Sequence, residues 1–354
     1  MTGARILVGD ARARLAELET GSVQTCVTSP PYFGLRDYGN DDQMGLEATP
    51  DEYVKEMVAL FREVWRTLAD DGTLWLNLGD SYAGSGRGGG GNSIQGTNQG
   101  SLTGDIRNRS DVDWGARNKE LMGVPWRVAF ALQADGWYLR QDIIWAKPNP
   151  MPESVGDRCT KSHEYLFLLS KSARYHCDMD AIKEPSSPES DARALRGVSE
   201  EMKLVNGNPG QTPHSIHQPR AKRQPRFGGS KYGDSDDPAH ATKSGNEYEP
   251  NGTRNKRDVW TIPTKPFKGA HFAVMPEALV EPCILAGSRE GDTVLDPFAG
   301  SGTVGVVALR HQRNFVGVEL NPEYAVMAEN RIKDDAPLLN AVEMSYFLKN
   351  TGAK

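Results

Sequence analysis

Four consecutive residues, Ser29-Pro30-Pro31-Tyr32, set a hydroxyl, two rigid imides and an aromatic ring directly after an apolar run that ends Cys26-Val27-Thr28. Pro30 has no backbone N–H and restricts Ser29 to extended geometry, and Pro31 does the same to Pro30. A strand cannot go on pairing through such a pair, and the carbonyl of Pro30 is expected to be held outward as a free acceptor. Ser29 adds a second hydrogen-bonding group, and Tyr32 a flat aromatic face. Two acceptors and a stacking surface suit a planar heterocycle that carries an NH2 group. Such an amine is a poor nucleophile, because its lone pair is delocalised into the ring. Hydrogen bonds from its two N–H groups to the Pro30 carbonyl and Ser29 Oγ would favour a pyramidal nitrogen and aim the lone pair at an electrophile. No strong base is required. Pro-Pro also ends strands that carry no chemistry, so the motif takes its weight from a second site.

That second site is DPFAGSGT, residues 296 to 303, between an apolar run and a helical one. Gly300 and Gly302 allow a tight turn and the close backbone approach that a nucleotide-type cofactor needs at a helix N-terminus. Asp296 stands before the turn, where a carboxylate can order the loop or meet an ammonium group. Glu319 follows 23 residues after Asp296, at the end of the next strand, where a carboxylate can accept hydrogen bonds from both ribose hydroxyls. The G-x-G-x-x-G spacing of a pyrophosphate binder is missing. A cofactor with a ribose and no phosphate fits better.

The elements that must position these residues are legible in the periodicity. ILVGDARARLAELETGSVQTCVT reads as strand, short helix and strand, with Gly21 closing the helix. Val54, Met57, Val58, Phe61, Val64, Trp65 and Leu68 recur at helical spacing, behind a capping box at Thr49-Pro50-Asp51-Glu52. TLWLNL, after Asp70-Asp71-Gly72, is a strand too apolar for the surface. VPWRVAFAL reads as a helix, and WYLRQDIIWAK and HEYLFLLSK as strands. The helix after Met275-Pro276, the strand TVLD, the helix TVGVVALRH, the strand FVGVEL and a last helix from Pro322 complete the pattern. Helices alternating with buried strands imply a mostly parallel sheet covered on both faces.

Two stretches break the alternation. Gly84 to Gly104 holds nine glycines in 21 residues, a flexible loop by composition. Residues 181 to 260 are rich in Pro, Gly, Ser, Asn and charge, and read as an irregular inserted lobe. Between His214 and Lys268 eleven Lys or Arg face six Asp or Glu, a local excess of +5 in a chain whose net charge is −6. An acidic body with one basic lobe can bind nucleic acid through that lobe. On charge alone a solvated insert fits as well. At 354 residues, 38% hydrophobic and 25% charged, the chain has room for a large α/β domain and a smaller lobe. No apolar run approaches a membrane span, and the N-terminus MTGARILVGD is not a signal peptide. Cys26, Cys159, Cys177 and Cys283 show no paired spacing, which argues against a metal site or disulfide framework and for a reducing, cytoplasmic compartment.

VTSPPY (Val27 to Tyr32) together with DPFAGSGT (Asp296 to Thr303) resembles the S-adenosylmethionine-dependent amino-methyltransferases of DNA. The catalytic motif precedes the cofactor loop with the basic lobe between them, which is similar to the β group of that family, a circular permutation. The resemblance implies a Rossmann-like methyltransferase sheet in two halves, residues 1–180 (with the glycine-rich loop 84–118) and 269–354, and a target-recognition lobe at 181–268. It implies that Ser29, Pro30, Pro31 and Tyr32 are catalytic, and that Asp296, Phe298, Gly300, Gly302 and Thr303 cradle the methionine and adenosine. Glu319 would take the ribose and Asp10 the adenine amine. KGAHFAVMPEALV resembles the element beside the methionine, nominating His271 and Phe272, although a plain amphipathic helix also fits. Arg220, Arg223, Arg226, Arg254 and Arg257 are the expected DNA contacts. Lys147 and His163 lie in segments that also resemble the family, but stay outside the catalytic set.

The strand bearing the glycine loop is expected to neighbour the strand bearing Ser-Pro-Pro-Tyr, at the topological switch point. The implied partner is double-stranded DNA, whose target base must be flipped out to reach the pocket. The family also allows a companion restriction endonuclease and a homodimer. Ser29 leans toward N4 of cytosine, since members acting on N6 of adenine more often carry Asp or Asn there; adenine N6 remains the alternative. A catalytically inactive DNA-binding homologue and a protein-glutamine methyltransferase are further alternatives. The intact motifs argue against the first, and the basic lobe against the second.

Overall fold

The structure, a computed structural model, describes residues 2–35, 43–83, 116–189, 192, 252–265, 274–337 and 341–346. By contacts the chain divides into two compact units, Met1–Ile182 with Arg257–Lys354, and Lys183–Lys256. Within the first unit the helices are α1 (Ala11–Leu15), α2 (Pro50–Thr67), α3 (Val124–Ala134), α4 (Glu277–Gly287), α5 (Thr303–Arg310) and α6 (Pro322–Asp335). Its strands in chain order are β1 (Gly3–Val8), β2 (Val23–Thr28), β3 (Leu68–Leu78), β4 (Tyr138–Ala146) and β5 (His163–Ser170). The second unit contributes a two-stranded ladder, β6 (Glu184–Pro185) with β7 (Thr253–Arg254). The first unit continues with β8 (Val259–Thr261), β9 (Thr293–Asp296), β10 (Asn314–Glu319) and β11 (Ala341–Tyr346).

Among the described residues nine strands form one sheet in the order β11-β1-β10-β9-β2-β3-β5-β4-β8. Every neighbouring pair is parallel except those made by β5, which runs against both β3 and β4. This is the mostly parallel sheet that the strand and helix alternation implied, and the Rossmann-like one that the family resemblance implied.

The period of two explains the layers. Ile6, Val27, Trp75, Val294 and Phe315 point to one face, where α4, α5 and α6 pack with Val280, Val304 and Ala328. Leu7, Cys26, Leu74, Leu295 and Val316 point to the other, against Met57 and Phe61 of α2 and Val128 of α3. Each fully buried Val, Leu, Ile, Phe or Met among them contributes roughly 1.5–3 kcal/mol over its exposed state. The α2 start carries the cap expected at Thr49, which accepts from Glu52 N at 3.2 Å, but the return bond shifts by one residue: the Glu52 carboxylate accepts from Ala48 N at 3.1 Å.

Three local expectations change. Helix α1 stops at Leu15, six residues before Gly21, because Arg66 supplies its guanidinium to the carbonyls of Leu15 and Leu18, both at 2.8 Å. Gly21 instead takes φ +73° in the turn that enters β2. Strand β3 begins at Leu68, ahead of Asp70-Asp71-Gly72, since Leu68 pairs with Val23 across a register shift. The chain does not finish its regular structure with α6: Ala341–Tyr346 adds β11 to the edge of the sheet beside β1. A half-exposed AVEMSY run has too weak an alternation to announce an edge strand.

Candidate active site

Strand β9 lies next to β2, with Thr25 opposite Val294 and Cys26 opposite Leu295. From β9 the late strands run one way, and from β2 the early strands run the other. The parallel strands thus end their carboxyl termini at a switch point, where a crevice opens. The link across it is Asp296, 2% exposed, whose Oδ1 accepts from Thr28 Oγ1 at 2.7 Å and from Phe298 N at 3.0 Å. Burial raises its carboxyl to about 7; the two hydrogen bonds oppose the rise, and the charge of Glu319 adds to it.

The turn after Asp296 needs both glycines, for different reasons. Gly300 sits at φ +51° and donates its N–H to Glu319 Oε2 at 2.8 Å. Gly302, at φ +77°, is the N-cap of α5, and a Cβ there would lie 2.9 Å from Ala328 Cβ. Gly302 serves helix packing and does not line the crevice. Glu319 Oε1 accepts from Asn321 N at 2.8 Å, and burial raises its carboxyl above the usual range. From behind, Arg331 braces the turn through Thr303 Oγ1 at 2.7 Å and Ser301 Oγ at 3.1 Å.

A cavity of about 130 Å³ is lined by Asp10, Ser29, Pro31, Asp296, Phe298, Gly300, Thr303 and Glu319, among others. Ser29 and Pro31 of the first motif therefore share one space with the second, whereas Pro30 and Tyr32 are not among the residues that line it. Asp10 also caps α1, accepting from Ala13 N at 3.1 Å. Among the described residues the lining contains three carboxylates and no Lys, Arg or His. That donor set suits hydroxyls and a cationic ligand, and offers a phosphate nothing.

On the target side Pro30 is buried, and the Pro31 carbonyl accepts from Tyr53 O–H at 2.9 Å. The ring of Tyr32 lies against Gly79, where a Cβ would come within 2.6 Å of Cε2. The Tyr32 hydroxyl donates to Glu164 Oε2 at 2.8 Å and accepts from Asn77 Nδ2 at 2.7 Å and from Ser29 Oγ at 3.3 Å. Burial, then the charge of Glu164, hold the phenol well above its ordinary value, so it stays a neutral donor.

Asn77 and Glu164 escaped the sequence reading. The signal for Asn77 is a single amide in the apolar run LWLNL; Glu164 stands beside His163, the more conspicuous residue of its segment. Lys147 pairs with Glu164, and His163 packs edge-on against Tyr165 with ring centroids 5.3 Å apart. In the second unit Arg254 donates to Glu184 at 2.8 Å. Arg257 belongs to the first unit, where its carbonyl accepts from Trp260 Nε1 at 2.6 Å. Arg220, Arg223, Arg226, His271, Phe272 and most of the glycine-rich loop lie outside the described residues.

A mostly parallel sheet, with a glycine turn behind a buried aspartate and a buried glutamate ending the next strand, fits the class of α/β enzymes that bind a nucleoside cofactor at the switch point. The sequence matches the DNA methylase family, of N6/N4 type, over residues 23–330. It is 42% identical over 335 residues to the Type II methyltransferase M.Cfr9I of Citrobacter freundii, spanning 95% of this chain and 89% of that one. With the Type II methyltransferase M.SmaI of Serratia marcescens it shares 44% over 328 residues, 93% of this chain and 90% of that one. Among solved structures, PvuII DNA methyltransferase (cytosine-N4-specific) aligns at TM-score 0.56 and 16% identity, covering 97% of this chain and 95% of that one. TTHA0409 of Thermus thermophilus, solved with S-adenosyl-L-methionine, aligns at 0.54 and 22%, covering 99% of each. The last two show the fold. The chain belongs to the DNA methylase family, the S-adenosylmethionine-dependent amino-methyltransferases of DNA, with its motifs in the β order. Among the described residues no helix is long and apolar enough to cross a membrane.

Proposed function

We propose that this chain methylates the exocyclic amine of a base flipped out of duplex DNA, with N4 of cytosine as its target. The observation that carries the reading is the shared cavity, lined by Ser29 and Pro31 together with Asp296, Gly300 and Glu319. S-adenosylmethionine, when bound, supplies an activated methyl group on a sulfonium. The fit rests on the donor set: Glu319 and Asp10 for hydroxyl and amine donors, Asp296 for positive charge, Phe298 and Thr303 for the walls, and Gly300 for close backbone approach. His271 and Phe272 belong to the same proposal from their segment alone.

Ser29 Oγ and the Pro30 carbonyl accept the two N–H groups of the target amine and turn its lone pair toward the methyl. The base stacks on the face of Tyr32 opposite Gly79. Transfer is an in-line displacement, and the protein contributes alignment more than acid–base chemistry. A base inside the duplex cannot reach this depth, so flipping precedes transfer. The serine at position 29 favours cytosine over adenine N6. Recognition of sequence is assigned to the inserted lobe, expected from sequence at residues 181–268 and bounded by contacts at Lys183–Lys256 with β8 returned to the main sheet, on the basic excess between His214 and Lys268. The relatives' Type II names support a modification role beside a companion endonuclease.

Sequencing of modified bases in DNA from a host expressing the chain tests this. N4-methylcytosine at a defined site is the expected product, and Ser29→Ala should lower the rate on the order of 100-fold with cofactor affinity unchanged. N6-methyladenine would move the target to adenine, and unmethylated DNA would sink the reading.

A further inference from the structure

The groups behind Ser29 form a hydrogen-bond chain with a direction. A carboxylate only accepts, and Glu164 closes the chain. Its Oε1 is held by Lys147 Nζ, and its Oε2 accepts from Asn77 Nδ2 at 3.0 Å and Tyr32 O–H at 2.8 Å. Tyr32 has one proton, and it is committed to Glu164. The phenol oxygen therefore accepts, from Asn77 Nδ2 at 2.7 Å and from Ser29 Oγ at 3.3 Å. Ser29 has its only proton pointed at Tyr32. What Ser29 then offers to the cavity it lines is lone pairs.

We propose that Glu164 is a positioning residue that sets the hydrogen-bond polarity of the target pocket. By fixing Tyr32 as a donor it makes Ser29 an acceptor, and so selects a base that presents an amino group over one that presents a carbonyl at the same place. A serine hydroxyl left to itself accepts or donates with equal ease, and would greet the carbonyl of uracil as readily as the amine of cytosine. Asn77, 1% exposed, reinforces the direction by donating its two N–H groups to Tyr32 and Glu164, with Ser29 Oγ 3.4 Å from the same nitrogen. Lys147 supplies the counter-charge. The proposal rests on the reading of Ser29 as the partner of the target amine.

The test uses duplexes carrying the site mapped by sequencing, with the target base or its keto counterpart: uracil for cytosine, or hypoxanthine for adenine. An abasic residue opposite the target in both duplexes removes base pairing from the comparison. The wild type should bind the amino duplex about 10-fold or more tightly than the keto duplex, the cost of facing a buried acceptor with an acceptor. Glu164→Gln places an amide where only a carboxylate accepted, so the chain can reverse. It should bring the two affinities within roughly 2-fold and lower kcat on the order of 100-fold, with S-adenosylmethionine affinity unchanged.

Tyr32→Phe cuts the chain and should abolish the discrimination as well; adding Glu164→Gln in that background should change it no further. Wild-type discrimination in Glu164→Gln with intact cofactor affinity overturns the proposal. Should that variant fail to fold, wild-type discrimination in Tyr32→Phe overturns it equally. A wild-type chain that methylates no DNA removes the underlying reading, and this one with it.

Discussion

Asp296 ties the two motifs together, and its protonation should be visible in cofactor binding. The carboxyl is raised to about 7, with burial as the main cause and the charge of Glu319 as a further one. The folded protein without ligand therefore holds this proton more tightly than the unfolded chain does. The sign follows from linkage: stability is favoured while the group is protonated, and is lost as pH rises from the ordinary carboxylate range to about 7. A cationic ligand reverses the balance, because a positive charge beside Asp296 favours the ionised form. Affinity for S-adenosylmethionine should accordingly increase with pH up to about 7 and then level.

With a folded value near 7, about 3% of the carboxyl is ionised at pH 5.5 and about 75% at pH 7.5, so affinity should rise on the order of 20-fold. The upper end of the window approaches the region near 8 where an α-amino group of the ligand loses its own charge, which trims the rise there by less than about 2-fold. Isothermal titration calorimetry across it, in buffers of different ionisation enthalpy, reads both the affinity and the proton released. Glu319 is raised in the same direction, so the variant Asp296→Asn isolates the aspartate. It should bind the cofactor more weakly at pH 7.5, lose most of the pH slope, and be more stable than the wild type at that pH without ligand. A flat affinity in the wild type, or an unchanged slope in Asp296→Asn, refutes the assignment of Asp296 as the partner of a positive charge.

The two glycines of the turn should separate function from packing. Gly300→Val should abolish measurable cofactor binding by calorimetry, since its backbone lines the cavity at φ +51°. Gly302→Ala should cost about 1–3 kcal/mol in a denaturant titration, through its φ of +77° and the contact with Ala328. Equal effects of both variants on both measurements would contradict the distinction. For the lobe, replacing Arg220, Arg223 or Arg226 should flatten the salt dependence of DNA binding by roughly one unit of slope wherever that arginine meets a phosphate. An arginine that reads a base edge should instead relax the methylated sequence at one position. Unchanged slope and unchanged sequence in all three would move recognition elsewhere.

The class of fold and both motifs were legible because they are local. Period-two and helical spacing need only neighbouring residues, and they located the strands and helices around Ser29 and Asp296. Glycines at 300 and 302 announced a turn, since positive φ is a property of a single residue. Which glycine faces the cavity and which faces a helix was not legible, because Ala328 arrives from α6. The ends of elements were misjudged where a distant side chain did the capping, as Arg66 does for α1.

The union of the site belongs to tertiary structure. Thr28 and Asp296 are 268 residues apart and meet at 2.7 Å because β9 enters the sheet beside β2, a pairing that no local pattern encodes. The chain of Ser29, Tyr32, Asn77 and Glu164 assembles from β3, β5 and the loop after β2. Each residue alone is an ordinary polar side chain, and its role comes from the partner it faces. Sequence determined which groups were present; the sheet order decided which of them touch, since hydrogen-bond direction exists only between groups already brought within reach.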